Sequence, residues 1–218
     1  MKARPILMNG DMVRAVMREI EQPGSGKTQT RRVVKKKHLP FLKDILNGFL
    51  DGNWNQRPLP YGQPGDLLWV RETFGHGWNY GGGDPVVFYR STGDGWIGSE
   101  AFPPADVMNG RFGVSSGQPA CSVSKNTKWT PSIHMPRWAS RITIQITDVR
   151  VERLQDISKE GALAEGVTAP DSSSTVRCAF ASLWESIYGN WHDNPWVWVI
   201  EFRPVLANVD DVLREQNA

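Results

Sequence analysis

The chain has 218 residues, of which 39% are hydrophobic and 22% charged, and it contains 10 tryptophans. This composition supplies enough apolar surface to form a core and excludes an intrinsically disordered chain. The formal net charge is only +2, which excludes a globally basic, histone-like binder, so any attraction for phosphate must come from a local cluster of positive residues.

The first forty residues predict a strand, a helix and a basic segment. Residues 5–8 are apolar, and the turn at 9–11 can supply a capping side chain to a helix. Four apolar residues at helical spacing form one stripe of that helix before the break at 23–26: Val13, Val16, Met17 and Ile20. The segment 22–43 then lacks acidic residues and carries seven positive ones: Lys27, Arg31, Arg32, Lys35, Lys36, Lys37 and Lys43.

The middle of the chain combines one clear strand with a long insertion. A Pro-Gly-Asp turn at 64–66 precedes the apolar run 67–70, which predicts a buried strand at 67–72. Residues 75–128 are rich in glycine and aromatic residues, with three glycines at 81–83, and only 86–89 resemble a strand. We interpret 75–128 as an insertion that decorates the domain and not as a second core.

The last third predicts two strands and two helices. Ile142, Ile144 and Ile146 alternate with polar residues, which is typical of a strand with one buried face. Ser158 can cap a short helix that runs to Glu165. A second helix has apolar residues at 180, 183, 184 and 187, and the final strand covers 196–203. We therefore expect a single domain over 1–206, followed by a frayed tail at 207–218.

Signals of a membrane or secreted protein are missing. No stretch approaches the roughly 20 apolar residues of a membrane-spanning helix, and the first residues lack the apolar segment of a signal peptide. Cys121 and Cys178 lie far apart without CxxC spacing, as expected of inert thiols in a reducing compartment. The expectation is a cytoplasmic protein with no membrane partner and no cofactor.

The segment GSGKTQTRR at 24–32 superficially suggests a phosphate-binding P-loop. A P-loop needs glycine at the position of Glu21 and a buried strand immediately upstream, where this chain has a helix. The segment resembles instead the ASCH family, whose signature is a helix, then G-K-x-x-T-x-R, then a Gly-Asp turn into a strand; here these are residues 26–32 and 65–70. Phage- and prophage-encoded members look most similar, through KTQTRR, PGDLLWVRETF and PSIHMPRWASRI at 131–142.

This resemblance implies an α+β fold: a PUA-like mixed β-barrel flanked by short helices, here with a long Gly/aromatic-rich insertion. It implies a protein that binds RNA, and some small members resemble amidohydrolases that remove the acyl group of N4-acetylcytidine. Their catalytic Lys, Thr and Glu correspond by motif position to Lys27, Thr30 and Glu165. The family pattern lacks the extra residues 21–25 and the insertion.

Amide hydrolysis needs a nucleophile, a base and a group that protonates the departing amine, and these three side chains can fill the roles. Lys27 acts as a base only when deprotonated, and burial together with Arg31 and Arg32 would lower its pKa. Since residues three apart on a strand face opposite sides, Lys27 must precede the strand. The alternative is that these residues have no catalytic role and are a solvated loop lysine, a strand threonine and an exposed glutamate at a helix end.

Binding of RNA or a nucleoside needs cations for phosphate and planar groups for bases. The candidates are Arg31, Arg32, Lys35, Lys36, Lys37, Trp69, Arg71, Glu72, Trp78, His134 and Trp138. Most tryptophans are expected in the core, above all Trp184, Trp196 and Trp198, and Glu72 has a surface ion pair with Arg71 or Arg90 as its bland alternative. His134 can carry a proton or contact a base, or its hydrogen bond can fix a loop.

Two other functions remain open from the sequence. The protein can be a non-catalytic module that binds RNA or DNA through the basic run. It can also be a metal-dependent ribonuclease, although the chain lacks an evident cluster of metal-binding carboxylates and its histidines show no metal-ligand spacing.

Overall fold

The computed structural model describes residues 1–40, 42, 59–78, 85–91, 95–96, 128–168 and 173–216. Most of the predicted insertion therefore lies outside the described residues, including the glycines at 81–83 and Cys121. The predictions for Lys43 and for the side chain of Trp78 also lie outside them.

Four helices and eight strands occur in the described part of the chain. The helices are α1 (Gly10–Glu21), α2 (Lys159–Ala164), α3 (Ser173–Tyr188) and α4 (Val209–Gln216). The strands are β1 (Ala3–Leu7), β2 (Gln29–Val33), β3 (Leu67–Arg71), β4 (Phe74–Trp78), β5 (Pro85–Tyr89), β6 (Gly95–Trp96), β7 (Thr143–Arg153) and β8 (Trp196–Val205). None of these helices is long and apolar enough to cross a bilayer.

Local capping explains where two of the helices begin. The Met12 N–H donates to Asn9 Oδ1 at 2.9 Å at the start of α1, and the Gly161 N–H donates to Ser158 Oγ at 3.0 Å at the start of α2. Each bond satisfies a backbone donor that the first helical turn leaves without an internal partner. Ser158 was predicted as a cap from the sequence, and Asn9 belongs to the turn at 9–11 that was predicted to supply one.

Five strands form a mixed sheet in the order β1-β3-β7-β8-β2, and three form a second sheet in the order β4-β5-β6. β1 runs parallel to β3, because Leu67 N–H bonds the Lys2 carbonyl at their beginnings and Met8 N–H bonds the Arg71 carbonyl at their ends. β2 pairs antiparallel with β8 at an edge of the larger sheet. The α+β class is confirmed, and the described strands form open sheets and not one closed barrel.

The chain divides into two compact units. The first comprises residues 1–2, 15–67 and 144–204, and its core joins the segment after β7, α2, α3 and β8. The buried residues of this core are Leu154, Ile157, Ala162, Val176, Phe180, Trp184, Val197 and Val199. Trp184 and Trp198 are buried as predicted, whereas Trp196 is only half-buried and stacks on the Arg153 guanidinium at 4.2 Å.

The second unit comprises residues 3–14, 68–143 and 205–218. It has a smaller cluster of buried residues: Phe74, Val87, Tyr89, Met135 and Ala139. Strands β4 and β6 extend the strand structure beyond the predicted 86–89. The prediction of a frayed tail is wrong for residues 209–216, because they form α4 and bury Val209 and Val212.

Candidate functional site

Lys27 reaches its position through a close approach of the backbone to α1. A Cβ on Gly26 would lie 2.2 Å from the Glu19 nitrogen and 2.3 Å from the Ala15 oxygen, so only glycine fits there. The Lys27 N–H then donates to the Ala15 carbonyl at 2.9 Å. Since β2 begins at Gln29, the expectation that Lys27 precedes the strand is confirmed.

Lys27 and Glu165 meet in the interior of the first unit. The Lys27 amine donates to the Glu165 carboxylate in a very short contact and to the Glu165 main-chain carbonyl at 3.0 Å. The exposed fractions of the two side chains are only 1% and 5%. The alternative expectation, a solvated lysine and an exposed glutamate, is therefore wrong for both residues.

Arg31 connects this ion pair to a second carboxylate. Its Nη1 donates to Glu165 Oε1 at 3.2 Å and to Gln29 Oε1 at 2.7 Å. Its Nε and Nη2 donate to Glu152 Oε1 at 2.9 and 2.5 Å. The charged groups thus alternate in the order Lys27, Glu165, Arg31 and Glu152. Each buried charge has an opposite charge beside it, which lowers the cost of burying it.

Burial lowers the pKa of Lys27 from its ordinary value and is the largest cause of the shift. The Glu165 carboxylate opposes this effect, while the charges of Arg32 and Arg31 add to the lowering. Desolvation disfavours the charged amine, so the neutral base is more accessible here than in a solvated lysine. The two arginines, which the sequence suggested as a cause, contribute less than burial.

Thr30 faces the opposite side of β2 from Arg31, because side chains alternate along a strand. It is fully buried, and its Oγ1 has no hydrogen-bond partner among the described residues. Arg32 shares the face of Thr30 and donates to the Tyr188 hydroxyl at 3.1 Å. The structure therefore brings Lys27 and Glu165 together, while the Thr30 hydroxyl lies on the other face.

The basic run continues past the end of β2 into a surface cavity. Lys35, Lys36 and Lys37 are exposed, and residues Lys36–His38 form a short 3-10 turn. The cavity has a volume of about 300 Å³. Its lining includes Lys35, Lys37, His38, Pro60, Tyr61 and Trp198.

Sequence reasoning missed His38, Tyr61 and Trp198 as parts of this cavity. Trp198 was assigned to the core because it belongs to an alternating apolar strand. His38 adjoins the basic run, and that proximity was the available signal. Tyr61 precedes the 64–66 turn and had no pattern to distinguish it.

In the second unit, Glu72 is buried and makes an ion pair with Arg141, whose Nε donates to Oε1 at 3.0 Å. The Ser91 hydroxyl donates to the same carboxylate, and the Arg141 guanidinium stacks on the Tyr89 ring at 3.9 Å. The expected surface pair of Glu72 with Arg71 or Arg90 is therefore wrong.

The other candidates of this unit take ordinary structural positions. Arg71 lies over the Trp69 ring at 5.4 Å and donates to the Ile133 carbonyl. Trp138 is half-buried and packs against the small apolar cluster of this unit. His134 is exposed in the turn Ser132–His134.

Comparisons with protein-family models, with curated proteins and with solved structures found no match. Within the described ranges, no group of three or more His, Cys, Asp or Glu side chains is arranged to hold a metal ion.

Proposed function

We propose that this protein binds RNA or a modified nucleoside and hydrolyses an acyl amide of the N4-acetylcytidine type, with Lys27 and Glu165 as the proton-transfer pair. The observation that carries the proposal is the buried contact between the Lys27 amine and the Glu165 carboxylate. Strongly perturbed ionisable groups cluster at functional sites, although structural ion pairs perturb pKa values as well.

The chemistry follows from the two protonation states of this pair. A neutral Lys27 amine accepts a proton from a water molecule as the water oxygen bonds to the acyl carbon. The proton is then delivered to the departing N4 nitrogen as the C–N bond breaks, and Glu165 orients the amine and stabilises its charged form. Because the attacking oxygen comes from water, the acyl group leaves directly as the carboxylic acid and no acyl-enzyme forms.

Thr30 is the nucleophile that the resemblance to the ASCH family implies. A buried hydroxyl with no hydrogen-bond partner in the described part of the chain can accept one from a ligand. Because Thr30 faces away from Arg31, which contacts Glu165 together with Lys27, the reaction at the Lys27–Glu165 pair uses water as its nucleophile. In this proposal the protein is an ASCH-domain protein of the phage-encoded type, with a PUA-like architecture and a cytoplasmic location.

The experiment is to incubate the pure protein with N4-acetylcytidine and to measure cytidine release by chromatography. Lys27→Ala and Glu165→Gln should each abolish cytidine release. Lys2 and Glu21 are exposed, so Lys2→Ala and Glu21→Gln are the matched controls and should retain cytidine release. Circular dichroism checks that each variant is folded.

Three results would contradict the proposal. Unchanged N4-acetylcytidine at high protein concentration would remove the hydrolase activity. Full activity in both Lys27→Ala and Glu165→Gln would exclude this pair as the reacting site. Loss of activity in Thr30→Val, which removes the hydroxyl at nearly constant shape, but not in Lys27→Ala would assign the chemistry to the other face of β2.

A non-catalytic nucleic-acid-binding module is the second candidate, because Lys35, Lys36 and Lys37 form an exposed run of positive charge. Each phosphate contact releases counterions, so affinity for a single-stranded RNA or DNA should fall steeply with salt. Binding that is insensitive to salt would exclude phosphate contacts as its main source.

A further inference from the structure

The cavity beyond the end of β2, lined by Lys35, Lys37, His38, Pro60, Tyr61 and Trp198, combines the two kinds of group that recognise nucleotides. Lysine amines attract phosphate, and aromatic rings provide faces for bases. Lys27, Thr30 and Glu165 are not part of its lining. The cavity is therefore a site separate from the proposed hydrolytic pair.

Positive charge is concentrated at this cavity. None of the described residues that line it is acidic. Burial is the largest cause that lowers the pKa of His38, and the charges of Lys37 and Lys35 lower it further. His38 therefore favours its neutral form, in which one ring nitrogen donates a hydrogen bond and the other accepts one.

Arg32 lies near the aromatic part of the lining, where its charge acts on the Tyr61 phenol. Trp198 lies directly opposite Arg32 in the β2–β8 register, and the Arg32 guanidinium bonds the Tyr188 hydroxyl. Burial raises the pKa of Tyr61, so its phenol stays protonated and can donate to a ligand. Trp198 is almost completely buried, so it forms part of the cavity wall. The half-buried Tyr61 therefore provides the ring face that a base can stack on.

The size of the cavity limits the ligand. Its volume of about 300 Å³ lies at the lower end of the range of about 300–1,000 Å³ that ligand pockets occupy. A volume of this size admits one nucleotide unit, whereas the paired bases of a duplex remain stacked inside the helix and are not presented to such a cavity.

We propose that this cavity binds a nucleoside phosphate, with the phosphate held by Lys35 and Lys37 and the base stacked on Tyr61. The ligand is either a free nucleotide or one unpaired unit of a single strand, since both present the same chemistry. This site deepens the proposed binding of RNA or a nucleoside, on which it rests for the class of ligand. Its occupancy is measured by binding alone and does not require a functional Lys27–Glu165 pair.

The test is isothermal titration calorimetry of the full chain with cytidine 5′-monophosphate, cytidine, a six-nucleotide single-stranded RNA and the matching duplex. The variant Lys35→Ala/Lys37→Ala should weaken binding of cytidine 5′-monophosphate and of the single strand at least tenfold. Tyr61→Ala should weaken binding of cytidine as well. The double variant Lys2→Ala/Lys128→Ala removes the same charge from exposed positions elsewhere and should leave each affinity unchanged.

The outcomes separate the two sources of the ligand. If Lys35→Ala/Lys37→Ala weakens the affinity for cytidine 5′-monophosphate and for the single strand equally, the ligand is a free nucleotide. If it weakens the affinity for the single strand alone, the ligand is a unit of single-stranded RNA. The proposal is overturned if neither cytidine 5′-monophosphate nor the single-stranded RNA binds. It is also overturned if Lys35→Ala/Lys37→Ala binds these ligands as tightly as Lys2→Ala/Lys128→Ala does. Tighter binding of the duplex than of the strand would also overturn it, whatever the outcome of the deacylation assay.

Discussion

Lys27 and Glu165 are joined through their backbones as well as through their side chains. The two residues form an isolated antiparallel β-bridge, and the Lys27 amine contacts both the carboxylate and the main-chain carbonyl of Glu165. The backbone bridge brings the two side chains to one place. The position of the amine is therefore set by main-chain geometry, and a longer or shorter side chain at either residue would not reproduce it.

Glu165→Gln should lower the free energy of unfolding strongly, because it leaves two buried cations, Lys27 and Arg31, with one carboxylate fewer. Breaking a buried ion pair by removing one partner typically costs about 3–5 kcal/mol. The double variant Lys27→Met/Glu165→Gln should recover part of this loss. Urea denaturation of the single and double variants measures the coupling, and additive effects would show that the pair is not coupled.

The stability contributed by Lys27 should depend on pH. Its folded-state pKa is lowered below the ordinary value of 10.5, so between these two values the unfolded chain binds a proton that the folded chain lacks. The free energy of unfolding therefore rises with pH across this interval. The free energy of unfolding of the wild type, measured by urea denaturation relative to that of Lys27→Met, should therefore increase as pH approaches 10.5. A relative free energy that stays constant or falls over this interval would contradict the lowered pKa.

Gly166→Ala should destabilise the Lys27–Glu165 pair through a steric clash next to Lys27. Gly166 has φ of +83°, and a Cβ there would lie 2.6 Å from the Ala15 Cβ and 3.1 Å from the Lys27 Cβ. Gly24 has a similar φ of +89° but open space around it, so Gly24→Ala isolates the cost of the left-handed backbone, which is about 1–2 kcal/mol. Thermal unfolding should show a larger loss for Gly166→Ala, and equal losses would mean that the close approach carries no cost.

In the second unit, Glu72→Gln should be much more destabilising than removal of an exposed charge. Glu72 and Arg141 are buried together, whereas Asp211 and Arg214 form an exposed pair within α4. We expect a loss of about 3–5 kcal/mol for Glu72→Gln and at most about 1 kcal/mol for Arg214→Ala. Chemical denaturation of both variants measures this contrast, and similar losses would refute it.

Local features were largely predictable from the sequence. Ile142, Ile144 and Ile146 indicated a strand by their period of two, and Ser158 indicated the start of α2 by its capping chemistry. These signals act within one or two turns of chain and need no knowledge of distant residues. For the same reason the last residues were misjudged, since α4 is stabilised by burial of Val209 and Val212, which its own short pattern did not indicate.

The ionic partners were decided by the tertiary structure alone. The alternative to a binding role for Glu72 was a surface ion pair with Arg71 or Arg90. Glu72 pairs instead with Arg141, which is 69 residues away. A buried carboxylate needs a cation that is buried with it, and which cation this is depends on how the strands are placed and not on sequence spacing. The cavity at Tyr61 and Trp198 has the same origin, because its walls come from separate segments of the chain.

The sequence by itself determined that Lys27 precedes a strand, that a basic run follows, and that a capped helix ends near Glu165, because periodicity, turns and caps are properties of short segments. Only the tertiary structure decided that Lys27 and Glu165, 138 residues apart, meet in the interior and that Thr30 faces the other side of β2. Closing so long a loop loses chain entropy, and it is the burial of many apolar groups together that compensates for this loss.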